Sequence, residues 1–255
     1  MSTVTSLIAH REIDAEEWQL RVDLAAAFRM AAELNWHEAI ANHFSVAVSP
    51  DGRKFLMNPR WKHFSLIKAS DLLLLDSQDQ STLEGPDAPD PTAWHIHGNM
   101  HRALPQARCI LHVHPAYVTA LSTLADPTIR PIDQNTARFF NRIAVDLAYG
   151  GMADDSDEGK RLVRALGNAS IMMMGNHGVL VTAQTIAEAF DDLYYLERAC
   201  QTLILAYSTG KDLNVLTDEI AERTAQSWEA YRPSAFAHFD QMKEMLAKKD
   251  KSFAE

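Results

Sequence analysis

The chain has 255 residues, of which 47% are apolar and 23% charged, enough to bury a core and build one globular domain. That composition excludes disordered, collagen-like and coiled-coil chains, and no run approaches the ~20 apolar residues of a membrane span. Thirty-four acidic against 24 basic side chains give a formal charge of −10, which repels phosphate backbones and leaves small molecules and proteins as partners, with no nucleic acid and no membrane.

Two cysteines, Cys109 and Cys200, are too few for a disulfide framework. The chain also opens without the basic, apolar and small-residue succession of a secretory signal, so a cytoplasmic location is expected. Asp14-Ala-Glu-Glu17 resembles a capping box and predicts a first helix to about Asn35. Residues 44–49 and 54–58 flank Pro50-Asp51-Gly52-Arg53, where proline presets φ and glycine relieves the tight position, a β-hairpin signal. Short apolar runs at 71–76, 110–114, 171–174 and 179–181 predict strands of a buried sheet. Residues 76–91 carry the composition of a long loop.

Helical spacing marks residues 92–104, 115–124, 157–166 and 182–208, then 218–231 and 235–249. A hairpin followed by interleaved helices implies an α/β fold, a mixed sheet between two helical layers. Residues 1–255 are expected to form a single domain whose last stretch, from about 211, is a helical extension. Met172-Met173-Met174, Tyr194-Tyr195 and residues 228–231 read as packing, and residues 248–251 as a solvated tail.

Eleven histidines are present, with His95, His97, His101, His112 and His114 inside 20 residues. The period of two along a strand sends His112 and His114 to one face, where both imidazoles can grip one cation; the bland alternative is a partly buried polar edge. Gly175-Asn176-His177-Gly178 sits at a turn between two apolar runs, where glycines let the backbone bring a third imidazole close. Three neutral histidines with an open position describe a catalytic zinc-type site rather than a closed structural one, which wants four ligands.

Ile-Leu-His112-Val-His114-Pro-Ala-Tyr-Val-Thr-Ala-Leu-Ser122, then Gly175-Asn-His177-Gly178 and a helix opening Thr185-Ile-Ala-Glu-Ala-Phe, resembles the class II aldolase and adducin family over roughly residues 20–206. The resemblance implies a three-layer α/β/α fold with a central, mixed, largely antiparallel sheet. It also implies a homotetramer with active sites at subunit interfaces, and a divalent ion on His112, His114 and His177. Zinc is the first expectation for that ion; manganese, cobalt and magnesium follow.

Two departures from the family pattern bear on chemistry. The family's acidic residue, nineteen positions before the first histidine of the pair, is Ala93 here, and an alanine neither shuttles a proton nor holds metal. Asp90, His97 and His101 are the candidates to replace it. His97 and His101 share a helix face at i and i+4, while His95 points elsewhere, and a role orienting a metal ligand is the alternative for that pair. The family's Gly-Asn-x-Ser element corresponds to Asn42-His43-Phe44-Ser45, and its Thr-Gly pair to Arg60-Trp61. A guanidinium that can bind a carboxylate and a flat indole wall suit a carboxylated or aromatic substrate better than a sugar phosphate. Gln134, in Asp133-Gln134-Asn135 with Arg138, is a further substrate-contact candidate by position.

The resulting expectation is a divalent-metal-dependent carbon–carbon lyase of aldolase type. It would act on a small hydroxy-carbonyl or carboxylated substrate through a stabilised enolate. Decarboxylation of a hydroxylated aromatic acid is one alternative, and a non-catalytic adducin-like binding or scaffold protein another. A zinc hydrolase ranks last, because no Glu sits beside the ligands as it does in H-E-x-x-H helices.

Overall fold

Along β1 (His43–Ala47), His43 and Ser45 alternate with Phe44 and Val46, so the strand shows a polar pair to one face and an apolar pair to the other. Gly52 turns the chain into its antiparallel partner, β2 (Lys54–Met57). Its φ is +69° and an added Cβ would lie 1.9 Å from the His101 carbonyl oxygen, so the tip tolerates no side chain. The computed structural model describes residues 13–85, 88–148 and 156–255. The hairpin enters a seven-stranded sheet with β3 (Leu73–Asp76), β4 (Cys109–Val113), β5 (Ile143–Asp146), β6 (Ile171–Met174) and β7 (Gly178–Ala183). The order is β3-β2-β1-β4-β7-β6-β5, antiparallel throughout except for the β5–β6 edge pair.

Eight helices accompany the sheet among the described residues: α1 (Ala15–Glu33), α2 (Pro91–Ala103), α3 (Ala116–Ser122), α4 (Gln134–Ala137), α5 (Ser156–Leu166), α6 (Ile186–Ser208), α7 (Asp218–Ala230) and α8 (Ser234–Lys249). Asp14 caps α1 by accepting from Glu17 N at 2.8 Å, and Thr185 Oγ1 caps α6 by accepting from Glu188 N at 3.2 Å. Leu24 and Phe28 of α1, Phe190 and Leu193 of α6 and Phe239 of α8 pack on Phe44, Leu111 and Val181 on one face of the sheet. Ile96 and Met100 of α2 and Leu162 of α5 cover Ile110, Met172 and Leu180 on the other. These are the expected three layers. Phe239, Leu246 and Phe253 share the main core cluster, so the C-terminal helices pack as part of the same body.

Three local expectations change. The helix expected from residue 182 starts at Ile186, because Thr182 and Ala183 are paired with Ile110 and Cys109 in the β4–β7 ladder. Strand β5 was not anticipated; its short Ile-Ala-Val-Asp segment is half-exposed, and it is a strand by virtue of its pairing with β6. The loop after Asp76 contains a short 3-10 turn, Gln80–Leu83, while residues 86–87 and the amino-terminal twelve lie outside the described residues. No helix among the described residues is long and apolar enough to cross a membrane.

Phe28 is fully buried, stacked on Phe44 at 4.7 Å and edge-on to Phe64 at 4.6 Å. Phe28→Ala should therefore cost about 3–5 kcal/mol of unfolding free energy, read from the midpoint of a urea titration with unchanged slope. A loss below about 1 kcal/mol would contradict this account of the core.

Candidate metal centre

His112 lies near the end of β4, paired across the ladders with His43 of β1 and Leu180 of β7. It shares the α2-facing side of the sheet with Ile110, as the period of two requires. His112 Nδ1 lies 3.0 Å from the Val179 carbonyl oxygen. That oxygen only accepts, so Nδ1 carries the proton and Nε2 is left as a lone pair. His114, just past the strand end, brings its Nε2 to 3.3 Å from that of His112. The ring of His177 stands 4.9 Å from His112 and 4.7 Å from His114, centroid to centroid. Among the described residues these three form a group whose ligand atoms all lie within 4.8 Å of one another.

The donor set fits a divalent ion. Two nitrogens at roughly 2.0–2.1 Å from a tetrahedral zinc are about 3.3 Å apart, the spacing of the His112–His114 pair. Burial lowers the pKa of all three rings, His177 to about 4, and the neighbouring histidines lower those of His112 and His177 further. Neutral imidazole is the ligating form. Glu38 opposes this shift at His114, its carboxylate 3.5 Å from Nδ1, a placement like that of the carboxylates that back metal-ligating imidazoles in general.

Each of the three histidines is placed by contacts from distant parts of the chain. The His114 backbone N–H donates to the Trp36 carbonyl at 3.2 Å. Immediately after it, α3 has no side-chain cap of its own; instead Glu197 of α6 accepts from Tyr117 N at 3.0 Å and Val118 N at 2.9 Å. The tip carrying His177 is held by Asn176 N donating to Ser122 O and Gly175 N donating to Asp146 O, at 3.1 and 2.7 Å. At Gly178 an added Cβ would meet His114 Cδ2 at 2.5 Å and the Val113 carbonyl oxygen at 2.7 Å, so glycine is what permits the two ligand segments to touch.

The three histidines open onto a cavity of about 440 Å³, whose lining includes Asn42, His43, Arg60, Trp61, Asp90 and Met174. Of the residues singled out in the sequence, Asn42, His43, Arg60, Trp61 and Asp90 line this cavity beside the three histidines. Arg60 stacks on Trp61 at 4.3 Å and donates from Nη2 to Gly85 O at 3.2 Å, while its Nε is buried without a hydrogen-bond partner. Trp61 is 67% exposed, an open wall. Asp90 caps α2, its Oδ1 accepting from Thr92 N and Ala93 N at 2.9 and 3.2 Å. Asn42 accepts from Glu38 N at 2.7 Å and so shapes the turn that carries Glu38.

Three expected residues lie elsewhere. His97 and His101 do face one way, but they are buried behind β1 and are not in the cavity wall; their reach into it is through His43, whose Nδ1 is 2.7 Å from His97 Nε2. Gln134 lies outside the cavity, in a separate cleft with Trp228 and Tyr231, where its backbone oxygen accepts from Trp228 Nε1. Its neighbour Arg138 is locked between Asp191 and Asp192 at 2.7 Å each. Glu38 and Glu197 were missed by sequence reasoning, because a lone glutamate on a turn or helix gives no local signal. Cys109 and Cys200 are buried, and burial pushes both thiols up, which leaves no thiolate chemistry there.

Residues 22–204 match the class II aldolase and adducin N-terminal domain family. The chain belongs to that family. An aldolase II superfamily protein from Pseudomonas syringae superposes with a TM-score of 0.86 at 31% identity, over 96% of this chain and 98% of that one. A Pseudomonas aeruginosa protein named for the class 2 aldolases is 33% identical over 84% of this chain and 82% of its own. The decarboxylase NovR of Streptomyces niveus is 27% identical over 82% of this chain and 80% of its own. Aldolase-, decarboxylase- and adducin-named proteins share this family with the chain, so the fold alone does not select among their activities.

Gly178→Ala should weaken any divalent-ion binding by about 10–100-fold, as loss of support to a coordinating side chain does, in a chelator-competition titration; unchanged affinity would show that the close approach to His114 is dispensable. Burial pushes His101 down to about 3, whereas the unfolded chain has an ordinary histidine. The unfolded state therefore binds more protons between about pH 6.5 and 3, and the contribution of His101 to stability, full above 6.5, is lost as pH falls through that window. Urea titrations from pH 7 to 4.5 should show stability falling with acidity, with a shallower slope in His101→Gln; an equal slope would contradict the buried neutral ring.

Proposed function

We propose that the protein is a divalent-metal-dependent carbon–carbon lyase acting on a small hydroxylated substrate that carries a carboxylate. The observation that carries this reading is the three-histidine cluster opening onto a cavity walled by Arg60, Trp61 and Asp90. His112, His114 and His177 would hold the ion, zinc before manganese, cobalt or magnesium. When bound, such an ion supplies Lewis acidity toward a substrate oxygen.

The protein's own groups do the rest. Arg60 binds the carboxylate and Trp61 gives an aromatic or alkyl body a flat surface to lie on. Within the lyase class, decarboxylation fits better than aldol cleavage. Ala93 is fully buried and packed with Phe55, Met57 and Trp94, so the residue at the family's acid/base position contributes nothing to the cavity. Decarboxylation breaks one bond to the carboxyl carbon, releases carbon dioxide and leaves the bonding pair on the adjacent carbon, which then takes a proton. Asp90 is the carboxyl group in the cavity wall that can carry that proton. Assembly as a homotetramer belongs to the same reading, supported by exposed apolar surface at Leu66, Tyr231, Phe236 and Met245 that a second copy would cover.

Purified protein should contain about one divalent ion per chain and lose it in His112→Ala. The metal-loaded sample, screened with hydroxy acids, hydroxylated aromatic carboxylates and aldol donors, should release carbon dioxide; aldehyde release instead would establish aldol cleavage. A metal-replete protein that turns over none of these classes sinks the lyase reading. A metal-free protein indifferent to His112→Ala would support a binding or scaffold role.

A further inference from the structure

Behind the cavity runs a chain of hydrogen bonds that the three metal-site histidines do not join. His101 Nδ1 lies 2.6 Å from the Ala107 carbonyl oxygen, an atom that only accepts, so His101 donates from Nδ1. Burial pushes its pKa down to about 3, so that ring is neutral at pH 7. Its Nε2 is therefore a lone pair, and Ser45 Oγ, 2.7 Å away, donates its single hydrogen there. With that hydrogen used, Ser45 Oγ accepts from His97 Nδ1 at 2.5 Å. His97 is fully buried and likewise neutral, so its Nε2 is a lone pair that accepts from His43 Nδ1 at 2.7 Å. Each direction follows from the one before, and the whole chain is anchored on a backbone carbonyl.

At the other end stands His43, in the cavity wall. The hydrogen on His43 Nδ1 is committed to His97 Nε2, so in the neutral ring the remaining nitrogen, Nε2, carries the lone pair. His43 therefore offers the cavity an acceptor at Nε2, its side-chain hydrogen bond among the described residues being the one from Nδ1 to His97. We propose that the relay of His101, Ser45 and His97 locks His43 with an acceptor nitrogen toward the cavity, making it a positioning residue that selects a ligand hydroxyl over an anionic oxygen. A hydroxyl donates to that lone pair. A carboxylate or phosphate oxygen has no hydrogen to give and meets electron density instead, so a second anionic group is turned away from this part of the wall. The inference deepens the substrate reading above and rests on that cavity being the substrate site.

Imidazole nitrogen shifts in the full-length protein labelled with ¹⁵N-histidine distinguish the two tautomers without turnover. Near neutral pH, with zinc and without it, His43, His97 and His101 should all carry their proton on Nδ1. In Ser45→Ala, His101 should stay so, held by Ala107, while His43 and His97 acquire the Nε2-protonated form. Wild-type His43 protonated on Nε2 overturns the proposal, and so does a Ser45→Ala spectrum with His43 unchanged. Calorimetry of the zinc-loaded protein adds a ligand readout. The preference for glycolate over its methyl ether, methoxyacetate, should shrink severalfold in Ser45→Ala, which leaves all three metal-site histidines in place; an unchanged ratio counts against hydroxyl selection. An inactive protein with the expected tautomers defeats only the lyase reading, and an active one with His43 protonated on Nε2 defeats only this one.

Discussion

The hydrogen bond from His112 Nδ1 to the Val179 carbonyl connects the sheet to its chemistry. It lies between β4 and β7, strands already paired residue by residue, so the imidazole is oriented by the same register that builds the core. Because the acceptor is a carbonyl, the bond also decides which nitrogen keeps its proton and which is free to bind a cation. A shift of one residue in that register would turn His112 to the α1 and α6 face, among Leu111 and Val181, and dismantle the site together with the core.

Burial then does chemical work. Rings placed between the sheet and α2 lose hydration, and desolvation makes the neutral imidazole the favoured form in His97, His101 and His112 alike. Neutral rings keep both a donor and an acceptor, and an unpartnered buried polar atom costs about 1–3 kcal/mol. The two histidine groups meet that demand differently. His97 and His101 have both nitrogens partnered through His43, Ser45 and Ala107. His112 and His114 instead bring two Nε2 atoms together with His177 beside them, an arrangement complementary to a cation.

The relatives share this scaffold under aldolase, decarboxylase and adducin names, so what distinguishes this chain lies in the cavity wall. The guanidinium of Arg60 against the indole of Trp61, the carboxylate of Asp90 at the start of α2, and the buried methyl of Ala93 are short-range features. Each can change without disturbing the ladders beneath.

Local physics was legible in the amino-acid order. Alternation in Cys109-Ile-Leu-His112-Val placed His112 on the face it takes, Pro50-Asp-Gly52 marked the hairpin, and glycines on both sides of His177 announced a close approach. These signals depend on a few neighbouring residues and on the periods of strand and helix. Strand β5 escaped because pairing with Met172 and Met173 of β6, rather than its own Ile-Ala-Val-Asp composition, makes it a strand. The depth of His97 and His101, the place of Gln134 in another cleft, and the support of α3 by Glu197 across 80 residues were likewise decided by packing. Spacing along a chain sets which face a side chain takes. Only the register and layering of distant segments determine what waits on that face, and whether it is solvent, a cavity or another imidazole.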